Sequence, residues 1–181
     1  MQLNKIENLA WVLPRPRKTS KYVGGFPLHF EKKLLKLLDI DPNYHKILQP
    51  FGGMGEFGIR IDLRESVKPD VLANAHNLPF KNNIFDLVLL DPPYSQEDCI
   101  RLYDKKLPKL IFKKYVAEAV RVTKEKGYVV MFHVVAYPSI PNTILIKRIL
   151  IEVRIWHKGR IVHIHQKRSD LWKKNESESL F

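Results

Sequence analysis

The sequence predicts an α/β domain built on a mostly parallel sheet, with an antiparallel hairpin at its C-terminal end. Three observations lead there. Short apolar runs alternate with amphipathic helical stretches along the chain. Two runs, 85–90 and 128–135, are apolar almost without a break, as expected of strands covered on both faces. Finally, Lys158-Gly159 separates two strand-like stretches, 151–157 and 160–166, in the manner of a hairpin.

The elements follow in order. Residues 1–28 mix proline, glycine and basic residues (Pro14, Pro16, Gly24, Gly25, Pro27) and are expected to form a basic arm or loop. Residues 29–38 place Phe30, Leu34, Leu37 and Leu38 at helical spacing. A turn around Pro42 leads to strands at 46–51, 58–63, 70–75 and 85–90. Only Glu56, Phe57 and Gly58 separate Gly55 from Ile59, so no helix fits between the first two of these strands and the domain is shortened there. Residues 110–123 read as a helix with Ile111, Tyr115, Ala119 and Val122 on one face. Lys126-Gly127 reads as a turn, 128–135 as a strand, and 143–150, after Pro141 and Asn142, as a short helix. The polar tail from Lys167 is expected to fray.

A length of 181 residues favours a single domain spanning 1–181. Such a domain buries roughly 70% of its unfolded surface, enough for a core without disulfides. Cys99 is the only cysteine, which excludes an internal disulfide and a cysteine zinc site. No apolar run approaches the ~18 residues a membrane span needs. Asn4, Lys5 and Glu7 interrupt any signal-peptide core, so the expected location is cytoplasmic and no membrane partner is expected. The net charge of +12 and pI of 9.8 favour a polyanionic partner, RNA or DNA. Arg15, Arg17, Lys18 and Lys21 in the arm, and Lys158, Arg160, Lys167 and Arg168 around the hairpin, are the candidate phosphate contacts. A homodimer or a partner subunit is left open.

In open α/β sheets, ligands bind beyond the C-terminal ends of the strands. Four segments converge there. Phe51-Gly52-Gly53-Met54-Gly55 lets backbone approach a ligand closely, because glycine carries no side chain. Asp62 ends the next strand, where an acidic residue can accept hydrogen bonds from two ribose hydroxyls. Asn74 and Ala75 follow the third strand and can offer amides to an adenine edge. Asp91-Pro92-Pro93-Tyr94 is the most specific. Its two prolines fix the backbone and lack N–H donors, leaving the Pro92 carbonyl and the Asp91 side chain as acceptors. Tyr94 adds a ring on which a base can stack, worth ~1–3 kcal/mol. Two acceptors and a flat ring suit a planar amine held by its two N–H groups.

Asp91-Pro92-Pro93-Tyr94 resembles the catalytic motif of the amino-methyltransferases that modify adenine N6 or cytosine N4. Phe51-Gly52-Gly53-Met54-Gly55 is similar to their cofactor loop, and residues 73–80 to the segment that holds the cofactor adenine. Gly24-Gly25-Phe26-Pro27-Leu28 resembles the motif flanking the methionine part of the cofactor, which brings in Gly25 and Phe26. The likeness covers roughly residues 20–135. It implies a Rossmann-like class I methyltransferase fold, S-adenosylmethionine as donor, and Asp91, Pro92, Pro93 and Tyr94 as catalytic residues. Asn74 stands where that family commonly has an aspartate. RNA is favoured over DNA, because a small basic chain without a separate recognition domain suits a target defined by shape.

Several alternatives fit the same residues. They are an orphan DNA adenine-N6 or cytosine-N4 methyltransferase, a small-molecule or protein methyltransferase, and a non-catalytic binding subunit. Carbon-5 chemistry would need a cysteine nucleophile, but Cys99 sits in a polar stretch without an adjacent proline. His163 and His165 alternate along one strand, yet no carboxylate is spaced to complete a metal site, so no metal is expected.

Overall fold

The computed structural model describes residues 6–15, 25–102, 108–136, 139–153 and 159–169. These residues form one eight-stranded sheet, three α-helices and a single 3-10 turn at Glu65–Val67. The strands are β1 (Glu7–Val12), β2 (Ile47–Pro50), β3 (Ile59–Asp62), β4 (Val71–Leu72), β5 (Phe85–Leu90), β6 (Thr123–His133), β7 (Thr143–Glu152) and β8 (Arg160–Lys167). Their order across the sheet is β1-β7-β8-β6-β5-β2-β3-β4. All neighbouring pairs are parallel except those made by β8, which runs antiparallel to both β6 and β7. The chain leaves β2 towards β3 and β4, then returns to β5 on the other side. That reversal opens a crevice beyond the C-terminal ends of β2 and β5.

Alternation along β5 explains its unbroken apolar run. Leu87 and Leu89 face the helix α1 (Phe30–Leu37), while Val88 and Leu90 face the helix α3 (Phe112–Val122). On the first face, Phe30, Leu34 and Leu38 pack against Ile47, Val130, Phe132 and Val162. Each fully buried side chain of this kind contributes roughly 1.5–3 kcal/mol. The helix stops where Asp39 turns left-handed (φ 53°) and the Ile40 N–H closes onto the Leu35 carbonyl at 2.9 Å. On the second face, Tyr115, Val116, Ala119 and Val120 cover Leu48, Ile61, Val129 and Met131.

Three local expectations are corrected, and one helix is added. Residues 143–150 are not a helix but most of β7. Their Ile144, Ile146 and Ile149 suit a pleated surface, and pairing with β1 on one edge and β8 on the other settles the choice. The segment 1–28 is not loop throughout. Leu9, Trp11 and Leu13 alternate, Trp11 and Leu13 are buried, and the first proline comes only at position 14, so 7–12 add as β1. Lys126-Gly127 does not end an element but forms a bulge inside β6, where Lys126 adopts φ 60° and the register against β5 shifts. Residues 96–102 form a further helix, α2 (Gln96–Leu102). The Ser95 hydroxyl accepts the Asp98 N–H at 3.0 Å, and Ser-x-x-Asp was its readable start signal. As expected, no helix lies between β2 and β3. The end of the tail, 170–181, lies outside the described residues.

Candidate active site

The crevice holds an open pocket of about 690 Å³, mouth included. It is lined by Phe51 after β2, Asp62 at the end of β3, Ala73, Asn74 and Ala75 after β4, and Asp91 and Pro93 after β5. Gly25, Arg64, His76, Cys99 and Leu110 complete much of the wall. Four sequence-distant segments therefore share one cavity.

The glycine loop is shaped from beneath. Gln49 at the end of β2 donates to a buried carboxylate, Glu31 of α1, at 2.6 Å and to the Phe57 carbonyl at 2.7 Å. Glu31 also accepts the Glu56 N–H at 3.1 Å. Burial pushes the Glu31 carboxyl above its usual range. The loop lies so close to this network that a Cβ on Gly55 would collide with the Gln49 Oε1, and one on Gly52 would sit 2.6 Å from the Gln49 carbonyl oxygen. Gly52 and Gly55 thus fit the loop onto β2, Gly53 turns left-handed between them (φ 43°), and Phe51 supplies the pocket-lining side chain. Phe51 adopts φ 63°, a costly conformation for an aromatic residue, and its ring packs edge-on against Tyr115 at 5.3 Å.

Asp62 is buried, and its two oxygens are held by Arg64. The Nε and backbone N–H donate to Oδ1 at 2.9 and 3.0 Å, and a terminal nitrogen donates to Oδ2 at 2.8 Å. Asn74 caps its own turn, accepting the His76 N–H at 2.9 Å. That turn is tied to α3: Glu118 accepts the Leu78 N–H, and Arg121 donates to the Leu78 and Phe80 carbonyls. His76 Nε2 accepts the Ile111 N–H at 3.1 Å, which fixes its tautomer. Burial and the nearby Lys114 hold its pKa below the ordinary value.

The proline corner divides between two surroundings. Asp91 and Pro93 line the pocket, and Pro92 is buried behind them. Burial pushes the Asp91 carboxyl up to about 7, with the Arg160 charge opposing and the Glu31 charge adding. Tyr94 lies outside the lining and turns towards β6 and β8. Its hydroxyl accepts the Arg160 Nε–H at 2.8 Å, and its ring meets the buried His133 edge-on at 5.0 Å. Burial, with Arg160 and His163 nearby, pushes His133 down to about 4.

The other expected residues are distributed as follows. Gly25 reaches the pocket, but the Phe26 ring packs into the α1 face against Phe30 and Phe132, at 4.9 and 5.2 Å. The Lys167 ammonium donates to the Val120 and Thr123 carbonyls and to Asn83, so it clamps β8 onto the end of α3. Arg15 is half-buried just beyond β1, and the Arg168 N–H donates to the Asn142 carbonyl. Arg17, Lys18, Lys21 and Lys158 lie outside the described residues. Cys99 does line the pocket, but burial raises its thiol pKa, which disfavours a thiolate nucleophile. Among the described residues, no group of three or more His, Cys, Asp or Glu could hold a metal ion, and no helix is long and apolar enough to cross a membrane. Sequence reasoning missed Glu31, Gln49, Arg64 and His133. Only the Asp62-x-Arg64 spacing carried any signal for one of them.

No protein-family model matches the chain, and no curated protein matches it by sequence. Solved structures do match in fold. The protein described as methyltransferase yhhF from Escherichia coli superposes with a TM-score of 0.56 at 14% identity, covering 85% of this chain and 91% of that one. TrmN from Thermus thermophilus gives 0.55 at 19% identity, over 80% of this chain and 50% of TrmN. This chain therefore spans about half the length of TrmN. The N-methyltransferase NodS from Bradyrhizobium japonicum WM9 gives 0.53 at 10% identity, over 77% and 96%. The fold is that of the class I methyltransferases, an α/β sheet with a C-terminal antiparallel strand.

Proposed function

We propose that this chain is an S-adenosylmethionine-dependent methyltransferase acting on an exocyclic amino group of a nucleic-acid base, cytosine N4 or adenine N6, with RNA favoured over DNA. The observation that carries this reading is the position of the proline corner. Asp91 and Pro93 form one wall of the pocket whose other walls are Phe51, Asp62 and Asn74, while Tyr94 points to the opposite side. A donor seated among the latter residues and an amine gripped by the corner would meet at Asp91.

The residues fit the donor. Asp62 offers two acceptor oxygens to a ribose once Arg64 swings aside, and the loop at Gly52 and Gly55 has no room for side chains. When bound, S-adenosylmethionine supplies a methyl group on a sulfonium. The chain's own part is to orient and polarise the amine. A base amino group is a weak nucleophile because its lone pair is delocalised into the ring. N–H hydrogen bonds to Asp91 and to the Pro92 carbonyl favour a pyramidal nitrogen and stabilise the positive charge that develops there. Tyr94 holds the base plane. A target within a duplex would have to flip out. The net charge of +12 supports a polyanionic substrate.

The test is methyl transfer from labelled donor to total RNA and, separately, to genomic DNA, alongside calorimetric binding of S-adenosylmethionine. Label in RNA supports the reading, and label in DNA alone moves it to the orphan DNA enzyme. Binding without transfer to either points to another acceptor. No binding at all favours a non-catalytic subunit.

A further inference from the structure

The wall of the pocket ends at Asp91 and Pro93, and beyond it lies a second cluster that the donor site does not use. β8 runs antiparallel to β6 and brings its first residue, Arg160, to the end where β6 finishes at His133. Tyr94, 66 positions earlier in the chain, meets both. The Arg160 guanidinium donates to the Tyr94 hydroxyl at 2.8 Å and lies 5.0 Å from the centre of the same ring. A ring held by its hydroxyl from one side and by an edge-on histidine from another has little rotational freedom. A stacking platform needs that restriction, because misplacement by an ångström costs rate.

We propose that Arg160 is the positioning residue of this corner: its guanidinium fixes the Tyr94 ring and supplies the counter-charge to the Asp91 carboxylate, so that both present one geometry to the target amine. This rests on the function proposed above, and it gives Arg160 a role other than phosphate contact. The charged and titratable groups around Asp91 are Arg160 from β8 and Glu31 from α1, which act on it in opposite senses. Arg64, His76 and Cys99 line the same cavity. Glu31 and burial both favour the neutral acid, and Arg160 favours the ionised form that can accept two N–H bonds. His133 is neutral at physiological pH and adds shape without charge.

The test uses Arg160→Gln, Arg160→Lys and Tyr94→Phe in the full chain. Two measurements are made: carboxyl carbon NMR of Asp91, assigned against Asp91→Asn, and methyl transfer as a function of pH. Arg160→Gln should move the Asp91 midpoint upward from about 7, and shift the acid limb of kcat/KM in the same direction. Arg160→Lys should restore the midpoint while kcat stays about 10-fold down, because an ammonium does not reproduce the Nε–H bond to the Tyr94 hydroxyl together with the planar contact on its ring. Tyr94→Phe should lose a similar factor, and adding Arg160→Lys to it should cost little more. S-adenosylmethionine affinity should stay within about twofold throughout, since Arg160 is not among the pocket-lining residues. An unmoved Asp91 midpoint in Arg160→Gln, or additive losses in the double variant, would overturn the assignment. A displaced midpoint in a protein that methylates no nucleic acid would leave Arg160 as the Asp91 counter-charge and refute the base-methylation reading instead.

Discussion

Replacing Asp91 by Asn should make the protein more stable above pH 7 while removing its activity. The magnitude follows from the site. The folded protein holds the Asp91 carboxyl at about 7, against an ordinary aspartate value of 3.8. Between those pH values the folded state binds more protons at this position than the unfolded chain does. Stability therefore falls as pH rises through the window. Each pH unit between the two values is worth about 1.4 kcal/mol, so the penalty at pH 8 is roughly 4 kcal/mol at most. Asn mimics the neutral acid and escapes it. For a chain of this size, each kcal/mol moves Tm by about 2–4 °C, which puts the variant up to ~16 °C above the parent. Calorimetric melts of both proteins from pH 4 to pH 8 measure this. The curves should coincide near pH 4, diverge towards pH 7 and run parallel above it. The buried histidines act on both proteins alike and cancel in the difference. A variant less stable than the parent at pH 8, or a difference that does not change with pH, would refute the placement of Asp91 in a desolvated wall.

Other predictions concern the core and the loop. Among the described residues, neither nitrogen of the buried His163 has a hydrogen-bond partner, so His163→Leu should raise stability by about 1–2 kcal/mol at pH 7. Burial and Arg148 hold the His163 pKa below normal, so the folded state takes up fewer protons than the unfolded chain as pH falls below 6.5. The gain should therefore grow on acidification, and urea midpoints at pH 7 and pH 5.5 test this. Gly55→Ala drives a methyl into the Gln49 side chain and should weaken S-adenosylmethionine binding at least tenfold by calorimetry, with a loss of about 1–3 kcal/mol in stability. Glu31→Ala removes one of the two acceptors of the Gln49 amide and the acceptor of the Glu56 N–H and should cost about 3 kcal/mol in urea unfolding, with Glu31→Gln recovering part of it.

Much of the fold was readable because its strands obey simple rules. The 85–90 run is apolar on both parities, since Leu87 and Leu89 meet α1 while Val88 and Leu90 meet α3. The turn signals around it also placed the four pocket segments at strand ends. β7 misled because its apolar residues fit either period, and only its two neighbouring strands decide between them. β1 was obscured by the prolines that follow it. At the site, motif residues were visible because glycine and proline mark backbone constraints locally. Glu31 was not, and Arg160 was legible only as a charge, because their contacts lie 18 and 66 positions away. Charge alone assigned Arg160 and Lys167 to phosphates, yet both make bonds within the fold.

The most direct test is to digest nucleic acid that the protein has modified and identify the methylated nucleoside by mass spectrometry. A methyl on the exocyclic nitrogen of cytidine or adenosine, absent with Asp91→Asn, is the predicted product. A methyl on a ring carbon or on a ribose oxygen, or an undiminished amino product from that variant, would contradict the account.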